Sequence, residues 1–564
     1  MDVKDPNWYS RVMEPRQEEN PQHMKWDDEA DVVIVGLGGA GICAALEALH
    51  HGANVVAIDR FRGGGATRMS GGVYYGGGGT RHQIDAGEED SPEEMYNYLK
   101  MEVESAVSDE TLKDFCHSSN DNLEWLEKHG VPFGSEIAPI KTSYPADKYF
   151  LYYSGNEAQA AYVPHAKSAR RGHRTQGKGL TGHIFFDALF NSALKMGLRL
   201  YPWSEARRFI VSEDGEISGI EVRKIDDNSR AASELDKLCN KFAQPTTLMF
   251  PKVGRKIVQQ ADEISDSEGR PLSIKVRKSV ILTAGGFVQN RKMVSHYAPK
   301  YESATPLGGI GCDGSGIRLG QSVGAKVARM NYVSAWRQFN PPAALASGIV
   351  VNGKGERYVA EDVYGAVIGY QMGEDHDGVS YVIIDSKLRK QAFWQSMPSS
   401  KINFRVQGAP ALLGMYRSTT KAKTIKELAI KLGMKPDKLE NSVNHYNRSS
   451  AGLEEPKYPK HPDFVSTIDQ APYYAIDISL GNQRYICPSI SLGGIVVEEK
   501  TGQALDKNGR PIPKLYAAGK NAVGVSSNLY VSGLSIADCV YSGRVAGRAA
   551  SQKSDIRLQT KAAV

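Results

Sequence analysis

One stretch constrains the fold more than any other: DVVIVGLGGAGICAALEALHHGANVVAIDR, Asp31 to Arg60 of a 564-residue chain. Val32–Val35 is a continuous β-branched run, which suits a parallel strand buried on both faces. It enters Gly36-x-Gly38-x-x-Gly41, then a helix rich in alanine and leucine, then a second apolar strand, Val55–Ile58, that ends at Asp59 and Arg60. The spacing has a chemical reason: Gly36 permits the tight turn, Gly38 lets a pyrophosphate approach the backbone, and Gly41 lets helix and strand pack closely. Gly39 and Ala40 open the helix, whose N-terminal N–H groups face the phosphate charge. Asp59, with Arg60 beside it, stands where a carboxylate takes a ribose diol. Glycine loops arise by chance, but strand, turn, helix, strand and acid in this order predict a dinucleotide-binding α/β unit.

The next stretch bears on which dinucleotide. GGGATRMSGGVYYGGGGT, Gly63 to Thr80, is a second glycine loop directly after the acid, with Gly65, Ala66, Thr67, Ser70, Gly71 and Gly72 as candidate contacts. A nicotinamide enzyme needs no such loop, whereas a flavin ring must lie against backbone. KSVILTAGGF (Lys278–Phe287) and PKLYAAGKNAVG (Pro513–Gly524) are further apolar strands that end in small residues, adding Ala284, Gly285, Gly519 and Lys520. Each alone reads as an ordinary turn after a strand. Together they are expected to converge where ligands bind at the carboxyl ends of sheet strands. The 57 glycines are clustered in this way rather than periodic.

Composition removes several alternatives. The net charge is +5 with no long Lys/Arg run, so nucleic acid is not expected as a partner. The six cysteines are scattered, with no C-x-x-C, which points to a reduced, cytoplasmic setting without a metal site. A haem-attachment motif is also missing, so electrons must pass to or from a separate molecule. Residues 1–28 are polar and read as an extension without an apolar leader core. With no run of 18 apolar residues, a transmembrane helix is not expected. The length requires two or more domains.

The motifs already quoted, with GCDGSGIRLG, VNGKGERYVAED, SLGGIVV and SGLSIADCVYSGRVAG, run in order from Asp31 to Ala550. In that order the chain resembles the fumarate reductase / 3-ketosteroid dehydrogenase superfamily of FAD proteins. The resemblance implies an α/β fold: a Rossmann-like, glutathione-reductase-like FAD-binding domain with an inserted α+β substrate (cap) domain. The implied division is an extension at 1–28, a first FAD-domain part at 29–300 with an insertion near 226–273, a cap at 301–469, and a second FAD-domain part at 470–564. Ser535 and Ile536, opening the small-residue helix of SGLSIAD, are implied cofactor contacts. Covalently flavinylated relatives carry a histidine in the glycine loop; Ser70-Gly71 stands there, so FAD is expected to be non-covalent.

Departures from the pattern separate the branches. Fumarate-type relatives resemble HGANRLGGNA near the C-terminus, with arginine gripping a carboxylate; here the histidine position is Ser526 and the arginine position Tyr530. A phenol cannot supply a charged bidentate clamp. Tyr530-Val531-Ser532-Gly533 is similar instead to the 3-ketosteroid Δ4-(5α)-dehydrogenase branch, whose second catalytic tyrosine follows an E-D pair and maps to Tyr364. Removing hydrogens from C4 and C5 of a saturated 3-ketosteroid needs a hydride acceptor for C5, a base for the C4 proton, and donors for the C3 oxygen. Tyr530 and Tyr364 are therefore expected to handle the proton, with Ser532 in support and the Gly533 N–H as a carbonyl donor. Tyr74 and Tyr75 in the flavin loop are candidate substrate contacts.

Other readings stay open at this level. The same site run backwards would be a 5α-reductase of a 3-oxo-4-ene steroid or bile acid. A Δ1-ketosteroid dehydrogenase, a fumarate-reductase-like enoate reductase and a non-catalytic flavin subunit are further alternatives. Arg357, Glu361 and Asp362 fit a proton feed or an ion pair holding the cap, ARRGHRTQGKG (Ala169–Gly179) reads as a solvated loop, and His183 as a helix-cap neighbour. The connection near 226–273, with Leu248, Met249 and Phe250 among lysines, is too long for a plain turn. A peripheral membrane contact, a subunit interface and a surface hairpin all fit it.

Overall fold

The computed structural model describes residues 10–552, apart from 245, 246, 248 and 400. The expected strand–helix–strand opens its largest sheet. Asp28–Val35 pairs in parallel with Val55–Ile58, Val32 opposite Val55, and the helix Gly39–His50 makes the crossover. Val32, Val33, Ile34 and Val35 are all buried, as a central strand covered on both faces requires.

The sheet has nine strands. Arg270–Leu282 lies on the other side of Asp28–Val35 and is parallel to it; Pro511–Ala517 then adds in parallel, Val280 opposite Leu515. Three strands far apart in sequence thus end at one edge, each running into a glycine turn. The early half of Arg270–Leu282 pairs antiparallel with Ile217–Lys224, which pairs with Ser204–Val211. The final helix, Leu534–Ser551, lies along Gly39–His50 at very short range. A Cβ on Gly543 would lie 2.5 Å from the Ala40 carbonyl oxygen, and one on Gly547 2.4 Å from that of Ala44. The small-residue helix is therefore what lets the chain's last segment cover the first strand–helix–strand unit.

A second body has its own sheet, ordered Ile349–Asn352, Ser380–Ile384, Tyr473–Asp477, Thr419–Ala422, all antiparallel. Val350, Val382, Ile383, Leu428, Leu439 and Ile476 belong to its core. Because Tyr473–Asp477 sits inside this sheet, the second body takes in residues beyond 469. Glu361 is held inside it by Arg357 at 2.8 Å and Lys460 at 3.0 Å, and accepts the Val350 N–H at 2.8 Å. These buried cations balance the carboxylate and lock ERYVAED to the sheet.

A third sheet, Val73–Tyr75, Gly172–Arg174 and Leu151–Tyr152, completes the surroundings of the site. It corrects one expectation: ARRGHRTQGKG is not a solvated loop. Arg171, His173, Arg174 and Thr175 are all buried. Their charge is met locally. Arg171 pairs with the equally buried Asp90 at 2.6 Å, and Arg174 donates to the carbonyls of Asp147, Gly177 and Gly179. His183 lies at the exposed start of the helix Gly182–Lys195.

Among its described residues the long connection carries the helices Arg230–Phe242 and Pro251–Glu268, packed through Leu235, Phe242, Ile257 and Ala261 onto Phe61 and Trp203. Of its apolar tip, Leu248 lies outside the described residues, while Met249 and Phe250 are 43% and 59% exposed. Among the described residues no helix is long and apolar enough to cross a membrane.

Candidate active site

The glycine turns converge into one cradle. Gly36 has φ +91°, and a Cβ there would lie 2.5 Å from the Ala284 Cα; one on Gly41 would lie 2.3 Å from the Gly36 carbonyl oxygen. The turn after Val35 and the turn after Leu282 are thus in direct backbone contact. Gly519 approaches the same point from the third strand, its Cβ position 2.7 Å from the Ala40 Cβ. The second glycine loop closes the ring: Thr67 Oγ1 accepts from the Gly39 N–H at 3.2 Å, and Gly65 and Ala66 face Gly309. Its later part is clamped from outside. Ser70 Oγ accepts from the Gly72 N–H, Gly71 C=O accepts from Tyr144 and Thr181, and Gly72 C=O accepts from Thr175. Gly285, with φ +84°, faces Cys312.

Asp59 accepts the backbone N–H groups of Leu37, Phe61 and Gly63 at 2.8, 2.8 and 3.2 Å, so it joins the first glycine turn to the second. Burial pushes its carboxyl up, and these three donors oppose that. Arg60 turns away into an ion-pair cluster with Asp313, Asp262 and Glu205, which docks the two-helix connection. Lys520 forms no ion pair with a carboxylate among the described residues; its ammonium lies over the Tyr530 ring, 5.8 Å from the centroid. Burial lowers its pKa.

Beyond Lys520 the site changes character from backbone to phenol. Tyr364 and Tyr530 face one another with ring centroids 6.4 Å apart, and Trp336 stacks on Tyr364 at 6.3 Å. Tyr364 comes from the second body, at the start of the helix Gly365–Asp375. Tyr530 and Ser532 come from the loop before the last helix. Ser532 Oγ lies 3.3 Å from the phenol oxygen of Tyr152, and faces the Tyr364 phenol as well. Burial pushes Tyr530 up to about 12 and Tyr364 well above the ordinary tyrosine range. The Gly533 N–H faces the Tyr530 oxygen and eases its ionisation, while Ser532 does the same for Tyr364.

The FAD binding domain family model matches residues 31–535 of the chain. The chain belongs to this family. The FAD-binding chain is 39% identical over 512 residues to a 3-oxo-5-alpha-steroid 4-dehydrogenase of Comamonas testosteroni, covering 88% of this chain and 93% of that one. It is also similar to the crystal structure of a 3-ketosteroid-delta4-(5alpha)-dehydrogenase from Rhodococcus jostii RHA1 in complex with 4-androstene-3,17-dione, with a TM-score of 0.79, 28% identity, and coverage of 96% and 100%. A 3-ketosteroid delta1-dehydrogenase from Sterolibacterium denitrificans shares the fold, with a TM-score of 0.65 and 19% identity over 93% and 99% of the two chains.

The residues present fit FAD. A Cβ on Gly38 would meet nothing within 4 Å, so space lies open beside the loop. Both long helices that start at the cradle, Gly39–His50 and Leu534–Ser551, have a glycine N-cap with no side chain to bond the first turn. The Gly39 N–H goes to Thr67, and in the second helix Leu534, Ile536 and Ala537 are bonded to backbone, which leaves the Ser535 N–H for an anion or a carbonyl oxygen. Ser535 lies in the first turn of the second helix, where the Ile536 N–H already bonds Gly533. Asn521, buried beside Lys520, has both amide atoms without a hydrogen-bond partner among the described residues.

The two tyrosines of the flavin loop expected to touch substrate share one short strand. On the strand Val73–Tyr75, Tyr74 and Tyr75 point to opposite faces: Tyr74 donates to the Ser119 carbonyl and packs on Phe133, and Tyr75 stacks on Tyr98. Both are buried in the core of the first body. Their strand instead supports the site through backbone, the Tyr75 N–H donating to the Gly533 carbonyl at 3.3 Å. Tyr152, which no motif marks, brings a third phenol to the site. The one signal in the sequence is its place in the aromatic run YFLYY, where alternation puts one side chain in two on the inner face.

Proposed function

We propose that this FAD-binding chain is a 3-oxo-5α-steroid Δ4-dehydrogenase, removing hydride from C5 and a proton from C4 of a saturated 3-ketosteroid. The observation that carries the reading is the pair of facing phenols, Tyr530 and Tyr364, where a dicarboxylate enzyme needs a guanidinium. Arg329, the arginine tied to the loop before Tyr530, is engaged by the Ser527 carbonyl and the Asn528 amide oxygen. The similarity to a 3-oxo-5-alpha-steroid 4-dehydrogenase supports the same reading.

Non-covalent FAD, when bound, supplies the acceptor for the hydrogen that leaves C5 with its electron pair. The rest falls to side chains. Buried phenols are neutral at rest, so the site receives a flat apolar ketone without stranding a charge. The C4 hydrogen is acidified by the neighbouring carbonyl. Tyr530 is the phenol suited to take it: the Gly533 N–H facing its oxygen favours release of the phenol's own proton to solvent, and the phenolate so formed accepts the C4 proton and returns to phenol. Tyr364, more strongly held neutral, donates to the C3 oxygen as enolate character develops. Ser532, held by Tyr152, keeps Tyr364 aligned. In this reading the second body is the cap that closes over the substrate, and a separate acceptor reoxidises the cofactor.

The two-helix connection supports a peripheral contact with an anionic membrane. Met249, Phe250 and Val253 are exposed at its tip beside the exposed Lys241, Lys252 and Lys256, which suits an interface that delivers lipophilic substrate. Phe250→Asp should abolish flotation with anionic vesicles; equal flotation of both proteins would remove this contact. The function itself is tested by incubating the holoenzyme with a 3-oxo-5α-steroid and an artificial acceptor. Formation of the 4-ene-3-ketone is expected. Turnover of succinate but of no ketosteroid would overturn the assignment.

A further inference from the structure

Two residues tie together the segments that carry the phenols. Glu102 lies near the end of the helix Pro92–Val103, where carbonyls have no partner within the helix. Its carbonyl accepts instead from the Leu529 N–H at 3.1 Å and the Asn528 amide at 2.9 Å, directly before Tyr530. Its carboxyl accepts from the Tyr98 phenol at 2.9 Å and the Asn156 amide at 2.7 Å. The Asn156 amide oxygen in turn accepts the Tyr364 N–H at 2.6 Å, where the helix Gly365–Asp375 begins, and the Asn156 N–H donates to Tyr98 at 2.8 Å. Tyr98, Glu102 and Asn156 are all fully buried. The two phenols belong to different bodies, and this small network is anchored to both.

We infer that Glu102 is a positioning residue for the two-phenol site, acting through Asn156 on Tyr364 and through its own carbonyl on the segment that presents Tyr530. The inference rests on the proposed roles of those two tyrosines. Its consequence is a proton-dependent geometry. Burial pushes the Glu102 carboxyl up to about 7. The groups facing it are Asn156 and Tyr98, whose hydrogen bonds favour ionisation, Glu157, which opposes it, and Tyr162, on the same loop as Glu157. The loop before Tyr530 faces Glu102 with backbone and the Asn528 amide, and its nearby cation, Arg329, is engaged with Ser527 and Asn528. At slightly acid pH the carboxyl is neutral and the network holds. As pH rises past neutrality a charge appears in a dry interior opposite Glu157: the Tyr98 and Asn156 donors are drawn in on the carboxylate while the Glu157 loop is repelled, and the anchor at Asn156 shifts.

The test uses holoenzyme with a saturated 3-ketosteroid and an artificial acceptor, with kcat and KM followed across neutral pH. Wild-type kcat is expected to fall above about pH 7, and Glu102→Gln to remove that fall because it is neutral throughout. Glu102→Leu should lose about tenfold or more in kcat at slightly acid pH, and Glu102→Gln should recover most of it. A merely structural residue would lower thermal stability without changing the profile, so superimposable wild-type and Glu102→Gln profiles would overturn the inference. Should Glu102→Leu fail to fold, Asn156→Ala cuts the link to Tyr364 alone, and an unchanged kcat in that variant would also overturn it. An activity-independent readout separates this from failure of the steroid assignment. Trp336 stacks on Tyr364, and its fluorescence, isolated against Trp336→Phe, should shift near neutrality in wild type and not in Glu102→Gln. A shift retained in Glu102→Gln contradicts the relay whatever the substrate is.

Discussion

The nucleotide cradle and the phenol site adjoin at Lys520 and are built by opposite means. In the cradle the determinants are backbone: strand ends at Val35, Leu282 and Ala517 bring glycine turns together so closely that a single Cβ has no room. In the phenol site they are side chains, drawn from positions as far apart as Tyr152 and Ser532. The first half of the site is therefore sensitive above all to bulk, with Asp59 and Thr67 as the side chains that tie its turns together. The second is sensitive to functional groups and, for a flat apolar substrate, tolerant of small changes in shape.

That contrast is sharpest at Gly36. Gly36→Ala adds a Cβ 2.5 Å from the Ala284 Cα at a φ of +91°, so neither space nor backbone conformation accepts it. The purified variant is expected to lack bound flavin, read as loss of visible absorption. A fully yellow Gly36→Ala protein would break the comparison from the cradle side. Tyr530→Phe is the matching change in the other half. It should keep wild-type flavin content while kcat falls on the order of 10²- to 10⁴-fold, the usual worth of a positioned proton-transfer group.

Stability should separate the halves next. Glu102 lies under the phenol site with a carboxyl raised to about 7 by burial, so folding favours its protonated form. A raised carboxyl pKa stabilises the fold below the unfolded value, and that contribution is lost as pH rises through the window up to about 7. One carboxyl shifted this far carries about 3 kcal/mol. Thermal melts of the holoenzyme should show Glu102→Gln losing less stability than wild type between mildly acid and mildly alkaline pH; parallel curves would contradict the assignment. The smallest effect belongs to Tyr152→Phe. It removes one hydrogen bond to Ser532, worth about 1 kcal/mol, and should lower kcat by about fivefold with flavin content unchanged.

The same contrast explains how much could be read from the sequence. The cradle was legible because its signals are local: a β-branched run, a glycine spacing and an acid within thirty residues all report on one backbone path. Tyr530, Ser532 and Tyr364 were legible only through short motifs. Tyr152 and Asn156 carry no motif, because what makes them matter is pairing across hundreds of residues. Tyr74 and Tyr75 show what a motif leaves out about side-chain direction. Their place in the flavin loop suggested substrate contact, but a three-residue strand sends them to opposite faces, one toward Ser119 and the other toward Tyr98. The buried Arg171 and Arg174 were likewise hidden, since a run of cations reads as solvated until Asp90 and the carbonyls of Asp147, Gly177 and Gly179 are found beside it.

The central claim is that Tyr530 and Tyr364 serve a neutral ketone. Its most direct test is anaerobic mixing of the holoenzyme with a 3-oxo-5α-steroid while the flavin's visible absorption is followed. The account predicts rapid bleaching in wild type, none with succinate, and bleaching slowed by orders of magnitude in Tyr530→Phe despite full flavin content. Bleaching at the wild-type rate in both Tyr530→Phe and Tyr364→Phe would contradict it.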